Sequence, residues 1–109
     1  MPTYLVKTKY KITRQEGDTA DIGFIVPDVI DMTGRKVLFQ VRDESDNLRI
    51  EKTDTAGITV TGQGIIVDLS PADSTGNDGI HNWELQVMNP ESTITIGKGQ
   101  FVILKQVAK

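Results

Sequence analysis

The feature that most constrains the fold of this chain is a two-residue alternation of apolar side chains within short runs. In the clearest run, Val37, Phe39 and Val41 occupy every second position. The same period recurs at residues 22–26 and 65–69. Because successive side chains of a strand point to opposite faces, each run predicts a β-strand with one buried face.

Composition favours the same secondary structure. Ile, Val and Thr supply 34 of the 109 residues, whereas Ala and Leu supply 10. β-Branched residues pack well on a pleated sheet, while Ala and Leu are the best apolar helix formers. Leu, Ile, Val and Phe together supply 31 residues, which is enough for one small packed core. A chain of this length predicts a single domain spanning residues 1–109.

Turn-forming residues separate eight predicted strands. Pro27 ends one run, and Gly62-Gln63-Gly64 predicts a tight hairpin. The segment 70–73 predicts a helix of one turn, because an N-cap serine is followed by proline and Gly76 lies close behind. Short strands separated by frequent turns predict an antiparallel β-sandwich. The predicted strands are residues 4–12, 22–26, 37–42, 48–52, 58–61, 65–69, 83–87 and 93–104.

Charge and cysteine content exclude several classes of partner and site. The chain has 12 basic and 15 acidic residues, so its mildly anionic surface repels phosphate backbones and predicts no nucleic-acid partner. The absence of cysteine excludes disulfides, thiolate metal sites and a thiol nucleophile. No apolar run approaches the roughly 20 residues of a membrane span, and the first residues show no export signal. We therefore expect no membrane partner.

The one histidine of the chain, His81, is the first candidate for acid–base chemistry. A catalytic reading makes it the general base for Ser74, with Asp73 or Asp78 as the orienting carboxylate. No strained turn of the G-x-S-x-G type presents this serine. The pattern therefore favours an exposed histidine at the end of a strand and no catalytic residues.

Two motifs resemble ion or phosphate loops but lack required residues. The segment 73–79, with Glu84 beyond it, has the oxygen spacing of a calcium loop, yet Asp78 stands where the sharp turn requires glycine. Gly97-Lys98-Gly99 lacks the earlier glycine, the following Ser or Thr and the helix of a phosphate loop. We predict a polar loop at the first, a bulge or bend at the second, and no metal or cofactor.

Aromatic residues decide between a packed core and a sugar-binding platform. Most lie on alternating apolar faces, which is typical of an inter-sheet core. Only Tyr4 and Tyr10 are candidates for surface aromatic residues. A carbohydrate-binding module, which would attach its carrier to a sugar-coated surface, is therefore the least favoured function. The predicted core residues are Phe24, Phe39, Trp83, Leu85 and Phe101.

A series of short motifs, in a fixed order, resembles one known family. The series begins with Arg14-Gln15-Glu16-Gly17-Asp18-Thr19, a strand at 22–26, Ile30-Asp31-Met32-Thr33-Gly34 and a strand at 37–43 that contains Gln-Val-Arg. Segments 57–59, 69–74, 83–87 and 99–103 continue it, so that it covers roughly residues 10 to 107. The series is similar to the phage baseplate upper protein N-terminal domain family. Met32 replaces the usual leucine of that family's connector.

The resemblance implies an all-β fold, an Ig-like antiparallel β-sandwich of about seven to nine strands. It also implies a non-enzymatic structural protein of the bacteriophage virion, made in the host bacterial cytoplasm and acting in the tail or baseplate through protein–protein contacts. The expected partners are other virion proteins, with several copies of this chain in the particle. A capsid decoration or head-fibre protein would suit the same small sandwich, and the sequence does not separate the two.

The motif residues themselves are interpreted as determinants of the fold. Gly17 is expected to supply a positive φ in its turn. Asp18, Thr19, Asp31 and Thr33 are expected to exchange hydrogen bonds with turn amides.

The first predicted strand carries the candidate partner-binding residues, Lys7, Lys9 and Lys11, on one face. Its other face carries Tyr4, Val6, Tyr10 and Ile12. Lysines on an edge strand can guard it against aggregation or dock it on an acidic neighbour, and both interpretations stay open.

Overall fold

Two β-sheets pack face to face around one core. The computed structural model describes residues 8–9, 11–17 and 19–105. Among these residues, no helix is long and apolar enough to span a bilayer. The elements are β1 (Thr8–Lys9), β2 (Ile12–Gln15), β3 (Ala20–Ile25), β4 (Lys36–Asp43), β5 (Leu48–Thr53), β6 (Ile58–Thr61), β7 (Gly64–Leu69), α1 (Pro71–Ser74), β8 (Gly79–Asn89) and β9 (Ser92–Leu104).

The larger sheet has the strand order β1-β9-β8-β4-β5, with β2 also paired to β9, and the smaller sheet has the order β3-β7-β6. Both β1 and β2 run parallel to β9, whereas all other neighbouring strands are antiparallel. The predicted all-antiparallel pairing is therefore wrong for the first strand. Alternation shows which face of a strand is buried, but it carries no information about the partner.

The N-terminal part of the chain differs most from the prediction. The sequence predicts a turn at residues 15–18. Glu16 and Gly17 do form a turn, but β2 continues to Gln15, and the Glu16 amide still donates to the Leu104 carbonyl at 2.8 Å. Ile12 is buried as expected. Tyr4, Val6, Lys7 and Tyr10 lie outside the described residues.

A β-bulge changes the facing of the last strand. Leu85 pairs with Gly97, but the next residue of β8 pairs with Thr95, so Ile96 is the extra residue. Both Ile96 and Phe101 are buried. In a regular strand, residues five positions apart would point to opposite faces of the sheet. The bulge therefore confirms the irregularity predicted at the glycines, and it lets both halves of β9 face the core.

The core is built around an aromatic cluster. Phe24 lies 5.4 Å from Trp83, and Phe39 lies 6.0 Å from Trp83 and 6.3 Å from Phe101, between ring centroids. Such spacings are typical of favourable aromatic pairs. All five predicted core residues, including Leu85, are buried.

Candidate interaction surfaces

His81 is not where the sequence analysis placed it. Its side chain is only 5% exposed and points inward from β8, with the same facing as Trp83. Its Nε2–H donates to the Asn77 carbonyl at 2.6 Å, and its Nδ1 is buried with no hydrogen-bond partner in the described part of the chain. The expectation of an exposed histidine is wrong, because the apolar alternation of β8 extends two residues further toward its start. Continuing the period back from Trp83 would have found it.

Ser74 and Asp73, the candidate partners of His81 in a catalytic triad, instead hold the segment around α1. Ser74 Oγ accepts the Gly17 amide at 2.8 Å, which ties the first turn to the helix. The Asp73 carboxylate accepts the Ser70 amide at 2.7 Å and pairs with Lys52 Nζ at 2.8 Å. Partial burial raises the pKa of Asp73, but the Lys52 ammonium and the Ser70 amide outweigh this and hold the pKa below its ordinary value. These contacts stabilise a loop.

The oxygen ligands of the resembled calcium loop do not converge. Asp73 binds Lys52, whereas Glu84 lies on the outward side of β8, where its Oε2 accepts the Thr95 hydroxyl at 3.3 Å. Within residues 8–9, 11–17 and 19–105, no group of three or more His, Cys, Asp or Glu side chains could hold a metal ion.

The family-like motifs form turns, as interpreted. Gly17 has φ 85° and Gly34 has φ 73°, a region in which side chains are strained. Asp31 Oδ1 accepts the Thr33 amide at 2.9 Å, and this hydrogen bond lowers the pKa of the carboxyl. Asp18 is outside the described residues, and for Thr19 the expected bond stays a prediction.

The lysine-bearing segment lies at an edge of the larger sheet. β1 is the last strand on that side, and Lys9 is the register partner of Lys98 on β9. Lys11 is exposed. Lys7 lies outside the described residues, so the docking role of the three lysines stays a prediction.

The outward side of the larger sheet, here called the large-sheet face, combines a polar centre with an apolar end. At the centre, the Gln40 amide donates to Glu51 at 2.7 Å, and a groove of about 360 Å³ lies between Arg42 and Lys98. At the end, Ile80 is 49% exposed and Leu104 is 47% exposed. The face consists of Gln40, Arg42, Glu51, Ile80, Asn82, Glu84, Lys98, Gln100, Val102 and Leu104.

The outward side of the smaller sheet, here called the small-sheet face, is more apolar and carries like charges. Ile25 is 79% exposed and Ile66 is 44% exposed. Asp21 lies directly opposite Asp68. A hydrogen bond between the two carboxyl groups raises the pKa of Asp68, because it requires the proton to stay on Asp68. Repulsion from the Asp21 carboxylate raises this pKa further. The face consists of Asp21, Gly23, Ile25, Thr59, Thr61, Gly64, Ile66 and Asp68.

The described aromatic side chains offer no sugar platform. Phe24, Phe39, Trp83 and Phe101 are each at most 8% exposed. Tyr4 and Tyr10, the two candidates for surface aromatics, lie outside the described residues.

Comparison with known proteins bears on the fold. The sequence matches no family model, and no curated protein is significantly similar to it. One similar structure is a ZIG-8–RIG-5 IG1–IG1 heterodimer, with 8% identity, a TM-score of 0.52 and coverage of 94% of this chain and 90% of that chain. Another is the extracellular fragment of novel immune-type receptor 11 from Ictalurus punctatus, with 13% identity, a TM-score of 0.51 and coverage of 95% and 90%. The chain therefore folds as an Ig-like β-sandwich.

Proposed function

We propose that this chain is a non-enzymatic structural protein of a bacteriophage particle, an adaptor of the tail or baseplate that acts through protein–protein contacts. The observation that carries the proposal is the ordered series of motifs that resembles the phage baseplate upper protein N-terminal domain family. Its residues supply the turns of the sandwich, such as Gly17 with φ 85° and the Asp31–Thr33 bond of 2.9 Å. The series therefore describes how this domain folds, and the resemblance extends over nearly the whole chain.

The surfaces support an interaction role. Exposed isoleucines lie on the outward sides of both sheets, at Ile25, Ile66 and Ile80. Exposed apolar side chains that cluster on a sheet face are typical of protein-binding surfaces. One of the similar Ig-like structures is itself a heterodimer of two such domains. The buried His81 is engaged with a loop carbonyl, which disfavours a role in acid–base catalysis.

The lysine-bearing edge is the proposed handle for a neighbouring virion subunit. The domain carries a net charge of −3, and Lys7, Lys9 and Lys11 occupy alternate positions of its sequence. On an extended segment these three lysines would form a local cationic row on an anionic protein. Such a row would favour docking on an acidic patch, through long-range attraction and alignment of the partners.

Electron microscopy of particles labelled with an antibody against the chain tests the location. We expect label on the tail or baseplate. Label on the head would instead establish the decoration or head-fibre alternative, and particles without the protein would contradict a virion role altogether.

Charge reversal tests the handle. Replacing Lys7, Lys9 and Lys11 by glutamate is expected to leave the purified domain folded, by circular dichroism, and to abolish its incorporation into particles. The matched control compares the double variant Lys9→Glu/Lys11→Glu with Lys36→Glu/Lys105→Glu, which reverses two exposed lysines elsewhere. If the triple variant and both double variants were incorporated into particles equally well, this edge would be eliminated as the docking surface.

A further inference from the structure

The outward residues of β8 and β9 form cross-strand pairs that are complementary in chemistry. The two strands are antiparallel neighbours, so each outward residue of β8 has a register partner on β9. One pair is acid with base, one is amide with amide, and one is apolar with apolar. The pairs are Glu84 with Lys98, Asn82 with Gln100, and Ile80 with Val102.

Such a pattern is self-complementary under two-fold symmetry. When two copies stack face to face about an axis that runs along the strands, midway between β8 and β9, the β8 of one copy lies over the β9 of the other. Glu84 then faces the second copy's Lys98, and Ile80 faces the second copy's Val102. Because outward residues recur about every 7 Å along a strand, the three rows would span about 14 Å of contact.

Lys98 and Ile80 are available for a second copy, whereas Glu84 is half-buried and its Oε2 also accepts hydrogen bonds from Thr95 at 3.3 Å and Gln86 at 3.4 Å. Among the residues that the structure describes, the ion pairs are Arg49–Asp43 and Lys52–Asp73, so Lys98 enters neither. Lys98 is exposed and Ile80 is 49% exposed. A contact between copies would bury Ile80 at one end of the three rows and pair both charges of the Glu84–Lys98 row at the other.

The same operation on the small-sheet face gives the opposite result. With the axis between β3 and β7, Asp21 would face the second copy's Asp68, which gathers four carboxyl groups in one place. Close like charges oppose association. Charge complementarity therefore selects the large-sheet face.

We propose that two copies of this chain associate through the outward faces of β8 and β9 about a two-fold axis. The proposal deepens the proposed function by naming a second copy as one partner, and it rests on the view of this domain as an interaction module. Self-association is measured on purified protein, whereas the virion role is measured on particles, so the two can fail separately.

Sedimentation velocity of the full chain, with a series of charge reversals, tests this contact. The wild type is expected to form a dimer. Glu84→Lys and Lys98→Glu should each weaken it at least about tenfold, because each places like charges opposite one another. An equimolar mixture of the two single variants should form a heterodimer, since every facing pair is then again opposite in charge. The double variant Glu84→Lys/Lys98→Glu should also recover the dimer.

The control variant is Asp28→Lys, which reverses an exposed charge in the turn after β3 and should leave the dimer unchanged. Circular dichroism shows whether each variant folds. A wild type that stays monomeric at its highest soluble concentration would overturn the proposal. A dimer that survives both single reversals, or a mixture that fails to associate, would also overturn it, and a dimer lost in Asp28→Lys would show that the effect is not specific to these rows.

Discussion

The two outward faces of the sandwich share one core but differ in how their charges are arranged. On the large-sheet face, the charged cross-strand pair of β8 and β9 is Glu84 with Lys98, and on the small-sheet face the charged pair of β3 and β7 is Asp21 with Asp68. Opposite charges across neighbouring strands stabilise a sheet, and like charges destabilise it. The comparison shows that cross-strand register, rather than net charge, decides which face of an anionic domain can meet another copy of itself.

The largest expected effect removes the core that supports both faces. Trp83→Ala should destabilise the domain by about 3–5 kcal/mol, since Trp83 is 1% exposed and contacts both Phe24 and Phe39. Urea unfolding followed by circular dichroism measures the change. Asp28→Ala, at an exposed position in the turn after β3, is the control and should change stability by less than about 0.5 kcal/mol. If Trp83→Ala left the free energy of unfolding nearly unchanged, the aromatic cluster would not be what holds the two sheets together.

A smaller effect is expected at the end of the larger sheet, where Ile80 belongs to the proposed dimer contact. His81→Ala should cost about 1–3 kcal/mol, because the Asn77 carbonyl loses its buried donor. Hydrogen exchange should show faster opening of residues 75–79. The control is Thr93→Ala, at an exposed position of β9 outside the proposed dimer contact, with a change within about 0.5 kcal/mol. Unchanged exchange in the loop would contradict the anchoring role of His81.

The small-sheet face has a pH dependence of its own. A raised native pKa means that the folded state holds the proton of Asp68 more tightly than the unfolded state. The stabilisation that comes from this tighter proton binding is therefore fully present below the ordinary pKa of 3.8, and it is lost as the pH rises through the native pKa. Asp68→Asn should raise the melting temperature at pH 7 and have less effect near pH 4.

The Asp68→Asn effect is expected to be small, because the carboxyls are exposed and salt screens them. The opposite sign applies to Asp31, Asp43 and Asp73, whose lowered pKa values predict a loss of stability as the pH falls below 3.8. Asp28→Asn is the matched control. A melting-temperature gain that is equal at pH 4 and pH 7 would rule out repulsion between Asp21 and Asp68 as the cause.

The smallest effect is expected at the most exposed isoleucine. Ile25→Thr should change stability by less than about 0.5 kcal/mol, since Ile25 is 79% exposed. It should also leave sedimentation unchanged if self-association uses the large-sheet face. Ile80→Thr is the contrasting variant and should weaken the dimer. A dimer that depends on Ile25 instead would reverse the assignment of the two faces.

Much of the local structure follows from the sequence. The periods of two at Val37–Val41 and Ile65–Leu69 correctly predicted β4 and β7, because the spacing of apolar residues reports directly on which face is buried. The turn at residues 43–47 also has a local cause. Asp43 Oδ1 accepts the amides of Ser45 and Asn47, each at 2.9 Å, which is the local bonding that acidic turn residues favour.

The candidate sites were predicted less well, because their side chains belong to contacts between distant segments. The sequence predicts only a hairpin at Gln63, yet its side-chain amide lies 3.0–3.2 Å from the carbonyl oxygens of Val26, Pro27 and Ile30. Nothing in the local pattern of the hairpin names those carbonyls. The outward pairs of β8 and β9 could not be predicted from the sequence either, because the bulge at Ile96 sets which residues of the two strands lie opposite each other.

The sequence by itself determined the strands, most turns and the apolar core, since these depend on residue type and on spacing of a few positions. Only the tertiary structure decided that β1 and β2 lie parallel to β9 and that His81 is inside. It alone brought Glu84 to Lys98 and Asp21 to Asp68. The physical reason is that alternation specifies a face, whereas strand order and register depend on which distant segments bury their apolar sides together.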